Sequence, residues 1–394
     1  MQNIIIDKPY APVPPHRSTF WQTILQFYLP RMLRKQYGVT QVHSNNIERL
    51  TESYKAGHSI VLASNHCRDS DPLVMGMLGR LAHVKLYIMA SWHLFMQDWL
   101  KSFLLPRAGA FSIYREGVDR TAVNTAVELL ECAQRPLVIF PEGYISRTND
   151  QLNELMDGVS LIARTAAKRR AKLNPPGKVV VHPIALRYHF DGSVESAGAE
   201  VLDEIETRLT WQPTSHLPLE QRIYKIGAAL LALKELEYLN EPRIGEIGPR
   251  VQQLIEAILA PLENEWAKGQ HDGTVAARVK RIRAAILPDM VKGDISPIEH
   301  KRRWKHLADC YLAMQLVHYP PDYVKSNPSP QRMFETIERF EEDLTDMVRV
   351  HGESTVTINV GTAIEVNPNR QGRDETDPLL EAIASQMREM LAKS

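Results

Sequence analysis

Apolar, strand-like runs alternate with amphipathic helical stretches between residues 59 and 186, and this alternation predicts an α/β fold built on a largely parallel sheet flanked by helices. Two further observations complete the prediction. Residues 200–350 carry long helical patterns and almost nothing that reads as strand, and the β-branched run Ser354, Thr355, Val356, Thr357, Ile358, Asn359, Val360 follows them. A lone strand after so long a helical stretch must pair with something, and the sheet of the first half is the available partner. The helical block therefore reads as a large all-helical insertion. The expected divisions are an N-terminal segment over 1–40, an α/β domain over 41–194 and 351–394, and the insertion over 195–350.

Each element follows in order. Residues 1–19 are rich in proline (Pro9, Pro12, Pro14, Pro15) and read as extended chain. Over 20–37, Trp21, Ile24, Leu25, Tyr28 and Leu29 recur at helical spacing, Pro30 interrupts, and Met32 and Leu33 resume. Residues 1–40 set Lys8, Arg17, Arg31, Arg34 and Lys35 against Asp7. Aromatic residues with cations suit a helix lying in a membrane interface, and the same pattern also suits a helix packed on the core. Strands are expected at 59–63, 84–89, 110–114, 136–140 and 178–186, with helices at 72–78, 92–105, 118–133 and 152–170 between them. The 152–170 helix ends in Lys168, Arg169 and Arg170, which suits its dipole. Within the helical block, 218–240 and 250–269 are the clearest helices, and 269–273 and 319–330 read as connections. Ser329 and Pro330 fit the cap and first turn of a helix running to residue 350. An amphipathic helix over 378–393 closes the chain, and no internal repeat stands out.

Composition bounds the function. The 47 Lys and Arg balance the 47 Asp and Glu, so no overall field attracts nucleic acid, and any attraction to an anionic bilayer must be local. Cys67, Cys132 and Cys310 are odd in number and widely spaced, which argues for a reducing compartment over a disulfide framework. Met1, Gln2 and Asn3 lead into no basic segment followed by a long apolar run, so no signal peptide is expected. No stretch is apolar for the length a membrane-spanning helix needs.

The chemistry concentrates in Ala63-Ser64-Asn65-His66-Cys67-Arg68-Asp69-Ser70-Asp71-Pro72. An apolar run precedes it, and Pro72 opens the helix after it. Ligands of open α/β sheets bind beyond the carboxyl ends of strands, which is where His66 falls. A His–Asp pair is the simplest general-base unit, because the carboxylate orients the ring and stabilises the imidazolium. Asp71 also suits a plain helix cap. Three more short blocks lie at strand ends. They are Gly109-Ala110-Phe111-Ser112-Ile113-Tyr114-Arg115, then Phe140-Pro141-Glu142-Gly143 continuing through Tyr144-Ile145-Ser146-Arg147, and His182-Pro183-Ile184-Ala185-Leu186.

With these four blocks, in this order, the sequence resembles the glycerolipid acyltransferase family, which includes lysophosphatidate and glycerol-3-phosphate acyltransferases. The resemblance covers about residues 20–192, and the strand and helix over 355–393 look like the family's carboxyl end. It implies that His66 and Asp71 are catalytic, that Arg115 and the Phe-Pro-Glu-Gly block hold the acceptor, and that the Pro183 strand closes the site. The expected site is therefore His66 as base and Asp71 as its orienter, with Asn65, Arg115, Glu142, Gly143, Ser146 and Arg147 at the acceptor. Acyl transfer from a thioester to a hydroxyl needs a base and no acyl-enzyme. Cys67 lacks a second base and is set aside as a nucleophile. Arg115 offers a cationic fork for a phosphorylated acceptor. Gly143 lets the backbone approach the ligand.

The third block departs from the family. Tyr144 and Ile145 replace a small residue and Arg, Ser146 matches, and Arg147 comes one place late, so Arg147 is read as the substitute cation. Asp157, in place of a basic residue, precedes Gly158. The resemblance implies lysophosphatidate as acceptor, acyl-CoA or acyl carrier protein as donor, no cofactor and no metal, a role in phospholipid biosynthesis, and a cytoplasmic protein peripheral on the inner face of the membrane. The altered third block keeps another lysolipid or polar acceptor open. A non-catalytic lipid-binding or scaffold role is the rival from another class, and Asn65, His66, Asp71, Arg115 and Glu142 together argue against it. A metal site of His66, Asp71, His83 and His93 matches no ligand template. The helical block reads as a cap over the sheet or as a docking surface for a partner such as acyl carrier protein.

Overall fold

The computed structural model describes residues 6–117, 119–209, 211–320, 322–347, 349–369 and 377–393. It divides into two compact units. One comprises Pro12–Tyr114, Asp119–Gly192 and Val350–Ser394, and the other Met1–Ala11, Arg115–Val118 and Ser193–Arg349.

The first unit opens with α1 (Phe20–Tyr37), β1 (Val39–Asn45), α2 (Ile47–Lys55), β2 (Ser59–Ser64) and α3 (Asp71–Leu81). Next come β3 (Tyr87–Ser91), α4 (His93–Met96), α5 (Trp99–Arg107), β4 (Ala110–Ile113) and α6 (Arg120–Cys132). β5 (Leu137–Ile139), α7 (Gly158–Arg170) and β6 (Val179–Phe190) complete its longer part. The chain returns with β7 (Ser354–Val360), β8 (Ile364–Glu365) and α15 (Pro378–Ala392). The sheet runs β1-β7-β6-β2-β5-β3-β4, and β8 pairs with β6. All neighbours are parallel except β6 with β7 and β6 with β8. The late β-branched run therefore joins the sheet as β7.

Alternation along the strands builds two cores, one on each face. Val61, Ala63, Leu137, Ile139, Val179 and Val181 pack with residues of α6, α7 and α15. Ile60, Leu62, Val138, Val180, Ile184 and Leu186 pack with Leu33, Leu50, Val74, Met75 and Leu78 from α1, α2 and α3. Pro183, inside β6, is tolerated because on its β7/β8 side it falls between the two pairings. β8 ends at Val181 and β7 begins at Ile184, and Pro183 only accepts, from Gly361.

Several elements differ from their sequence expectations. β3 lies later than 84–89, because Val84 and Leu86 are buried core before the strand pairing begins. The 92–105 helix is two helices, since Asp98 is extended and caps a new start by accepting from Lys101 N. The helix expected from 118 starts at Arg120 under an Asp119 cap, and Val118 itself lies outside the described residues. The 152–170 helix begins only at Gly158. β6 continues four residues past 186. β1, an edge strand with alternate residues turned outward, and α2 carry too little apolar signal to be read in advance. α1 packs against the core through Leu29, Leu33 and Gln22, whose amide donates to Leu86 O and Ala108 O, both at 2.6 Å. A side chain at Gly109, φ +91°, would collide with that amide and with Leu86 O. The opposite face of α1 stays exposed through Phe20, Ile24, Phe27 and Tyr28. Among the described residues, no helix is long and apolar enough to cross a membrane.

The second unit is helical, with α8 (Val194–Arg208), α9 (Leu219–Leu239), α10 (Ile247–Trp266), α11 (Val275–Lys292), α12 (Pro297–Val317), α13 (Tyr323–Ser326) and α14 (Pro330–Thr345). Ser329 caps α14 as expected, and the helix ends at Thr345, short of residue 350. One apolar core joins α9 to α12, and another joins α8, α9 and α14. A recurring ion pair stitches successive helices. Glu206 of α8 binds Arg222 of α9 at 2.8 Å, Glu235 binds Arg250 of α10 at 2.8 and 2.9 Å, and Glu263 binds Arg278 of α11 at 2.7 and 2.9 Å. All three glutamates are fully buried. Each sits near the end of one helix and meets an Arg near the start of the next, a local repeat that the sequence pattern conceals.

Candidate active site

The end of β2 sets the site. β2 pairs with β6 as far as Ser64 and Ile184, and β6 then continues alone on that side. Two asparagine side chains take over the ladder. Asn65 accepts from Leu186 N at 2.7 Å and donates to Leu186 O at 3.0 Å. Asn149 does the same for Tyr188, at 2.7 Å each way. Buried strand-edge backbone groups are thereby paired without a strand.

His66 follows Asn65, and its backbone is held on both sides. Its N–H donates to Glu142 Oε1 at 2.8 Å, and its carbonyl accepts from Ser146 N at 2.7 Å. The ring stacks on Phe140, with centroids 4.2 Å apart. Nδ1 lies 2.8 Å from Asp71 Oδ2. That oxygen also accepts from Cys67 N at 2.7 Å and Arg68 N at 3.0 Å, while Oδ1 accepts from the Tyr188 hydroxyl at 2.6 Å. Asp71 is fully buried, and the His66 side chain keeps 15% of its surface exposed. A carboxylate beside Nδ1 selects the tautomer protonated there, which leaves Nε2 as the basic atom.

The third block is the clamp. β5 lies beside β2, with Ala63 opposite Ile139, so the turn after β5 meets the turn after β2. Gly143 has φ +77°, and a side chain there would strike Met156. Glu142 is buried, with Oε2 accepting from Asn153 N at 3.1 Å and Asn153 Nδ2 at 2.8 Å. Burial pushes the Glu142 carboxyl up, and the His66 and Asn153 donors pull it back. The bonds to Asn153, with that from Met156 N to Pro141 O at 2.8 Å, hold 141–157 out of helix and explain the late start of α7. Ser146 Oγ donates to Thr148 O at 3.2 Å. Arg147, at φ +58°, pairs with Asp69 at 3.2 Å.

The structure thus brings together Asn65, His66, Asp71, Glu142, Gly143, Ser146 and Arg147. Asn65, Glu142 and Ser146, expected at the acceptor, have polar atoms engaged in holding the His66 loop. Arg115 belongs to a short segment that groups with the helical unit. There it is partly buried, near Glu116 and Arg283, which pair at 3.7 Å. Burial lowers its basicity, Glu116 restores part of it, and Arg283 lowers it further. Cys67 is buried with its thiol 4.0 Å from Asp71 Oδ1. Sequence reasoning missed Tyr188, Asn149 and Asn153. Tyr188 alone left a signal, since it shares the face of Ile184 and Leu186 two residues beyond the fourth block. No group of three His, Cys, Asp or Glu among the described residues is placed to hold a metal ion.

Residues 40–187 match the family model described as Acyltransferase. The match spans β1 into β6 and includes the His66 loop and its clamp, while the helices from α8 to α14 lie outside it. No curated protein matches the chain.

Proposed function

We propose that this protein, whose residues 40–187 match the acyltransferase family model, transfers a fatty acyl group from an acyl thioester to the hydroxyl of lysophosphatidate. The observation that carries the reading is the His66–Asp71 contact of 2.8 Å at the carboxyl end of β2. In this mechanism His66 Nε2 takes the proton of the acceptor hydroxyl as its oxygen attacks the thioester carbonyl. Asp71 stabilises the imidazolium that forms. The tetrahedral intermediate collapses to an ester and expels the thiolate, which takes the proton back from His66. No acyl-enzyme is needed, and Cys67 has no part.

Arg147, anchored to the loop by Asp69, supports a phosphorylated acceptor. The donor is acyl-CoA or acyl carrier protein. A lysolipid acceptor also requires access to a bilayer. Phe20, Ile24, Phe27 and Tyr28 of α1, with Met96, Trp99, Leu100 and Phe103 of α4 and α5, are exposed, Phe27 at 74% and Trp99 at 79%. Trp21 meets Phe103 edge to face, and Arg107 lies over both rings. Within α1 and α5 the charged residues are Arg31, Arg34, Lys35, Lys101 and Arg107, all cations. Apolar residues joined to cations suit the surface of an anionic membrane.

The test is thiol release from acyl-CoA by purified protein with lipid vesicles. Lysophosphatidate, glycerol 3-phosphate, unphosphorylated lysolipids and no acceptor are compared, each beside His66→Ala. Release that needs lysophosphatidate and falls by several orders of magnitude in the variant is the expected result. Release with another lysolipid alone moves the substrate. Undiminished release by His66→Ala removes the mechanism.

A further inference from the structure

We propose that Tyr188 is a positioning residue for the His66–Asp71 pair, its hydroxyl fixing the Asp71 carboxylate and thereby setting the basicity of His66. The inference rests on His66 acting as the base, and the titration that decides it is read without turnover.

The hydroxyl of Tyr188 lies 2.6 Å from Asp71 Oδ1 and 2.9 Å from Ser70 Oγ. An ionised carboxylate only accepts, so the phenol donates to Asp71 and the Ser70 hydroxyl donates to the phenol oxygen. Ser70 holds the cap position of α3 yet makes no side-chain cap bond, which leaves its hydroxyl for this task. Asn149 clamps the Tyr188 backbone from both sides, and the Arg68 guanidinium lies 5.3 Å above the ring. Nearly every degree of freedom of the ring is therefore fixed while its hydroxyl points at the catalytic carboxylate. Burial, reinforced by Asp71, pushes the phenol well above its usual range, so it stays a donor wherever the enzyme is stable.

The chain Ser70→Tyr188→Asp71 meets His66 from the far side of the carboxylate. Three donors, from His66, Cys67 and Arg68, converge on Oδ2, whereas Tyr188 supplies the short bond to Oδ1. Without it, the carboxylate's charge is less dispersed and holds the imidazolium more tightly. His66 would then titrate higher and be protonated more often at neutral pH. Other groups facing the pair are the Cys67 thiol, Arg68, the Asp69–Arg147 pair and Glu142, which binds the His66 N–H. Tyr188→Phe alters none of them and keeps the ring.

The test is an NMR titration of the His66 ring in the full chain, its signal assigned by its loss in His66→Ala. Tyr188→Phe is expected to raise the His66 midpoint by roughly 0.5 pH unit or more, since hydrogen bonds to the charged form set such values. Ser70→Ala is expected to raise it less, and Tyr188→Phe on an Asp71→Asn background to add nothing. The acidic limb of kcat/KM should move by the same interval, with kcat lower by about tenfold. An unchanged or lowered midpoint in Tyr188→Phe overturns the proposal, as does a full shift on the Asp71→Asn background. If Tyr188→Phe does not fold, Ser70→Ala decides by the same sign. Full activity in His66→Ala would remove the general-base reading alone, because the titration reports the coupling independently.

Discussion

Glu142 holds two loops with one carboxylate, one oxygen for the His66 N–H and the other for Asn153. A role at the acceptor and work as a clamp would make different demands, and kinetics separate them. Glu142→Ala leaves the partly buried His66 N–H without its acceptor, a defect of about 1–3 kcal/mol, and loosens the ring that Phe140 and Asp71 hold. The expected outcome is a fall in kcat of about tenfold to a hundredfold with little change in KM for the acceptor. A raised KM with kcat intact would return Glu142 to the acceptor. At this scale much of the site was legible, since the His66-to-Asp71 spacing and the Phe-Pro-Glu-Gly block both announce strand-end chemistry. What the residues do to one another was not. Asn65, Ser146 and Glu142 look like ligand-facing groups in a linear motif, and only the fold reveals that their partners are Leu186, His66 and Asn153.

Neither α1 nor α5 is both long and apolar enough to cross a membrane. Each presents aromatic residues to solvent with cations in the same helix, and Trp21 and Phe103 join them. Burying a large apolar side chain yields about 1.5–3 kcal/mol, so each exposed aromatic residue is worth about tenfold or more in partitioning. Phe27→Ser and Trp99→Ser, tested singly in co-sedimentation with anionic vesicles, should each weaken binding by that order and leave the melting temperature unchanged. Binding that is indifferent to both changes would remove this face from the membrane reading. The α1 pattern was visible in the sequence, but not which face the core takes. Gln22, a polar residue on the packed side, decides that by reaching Leu86 O and Ala108 O. The partnership of α1 with α5 links residues 82 apart in the chain and left no periodic trace.

Over the whole molecule, buried ionisable groups give stability a definite pH dependence. Burial raises Glu206 and Glu263, yet Thr214 with Arg222 at Glu206 and Arg278 with His271 at Glu263 outweigh it, and Arg250 outweighs burial at Glu235, so all three carboxyls lie below their ordinary value. Burial raises the Asp377 carboxyl, but Arg164 and the Leu379 N–H at the cap of α15 outweigh it, so it too lies low. A carboxyl depressed on folding contributes stability above its unfolded value, and the contribution is lost as pH falls through the folded one. His182, buried between Ser53 and Gly361, is held low by burial, so its contribution is also lost as pH falls, beginning below 6.5. Glu142 runs the other way, because its raised carboxyl favours the folded state at low pH. The expected sum is a melting temperature that declines gently below about pH 6.5 and more steeply below about 4.5. Hydrogen exchange in α10 and α11 should rise with the steeper phase. Glu263→Ala should raise it already at pH 7, since breaking a buried ion pair costs about 3–5 kcal/mol. A flat profile from pH 7 to 4, or unchanged exchange in that variant, would refute this account.

The sequence by itself determined the class of the molecule. Periods of two and 3.6 are written in neighbouring residues, so the alternation over 59–186, the helical block and the late β-branched strand could be read without coordinates. It also determined the resemblance carried by the four blocks, since those residues are close together in the chain. Only the tertiary structure decided what joins residues far apart. β1 was assigned by its pairing with β7, not by its polar sequence. The start of α7 was decided by a carboxylate eleven residues upstream of its bonding partner. Successive helices of the second unit are tied by glutamate–arginine pairs that no period discloses, because hydrogen bonds between side chains depend on which helices adjoin. Tyr188 reaches Asp71 for the same reason. β6 outruns β2, two asparagines hold its edge, and a residue 117 positions away becomes the neighbour of the His66–Asp71 pair.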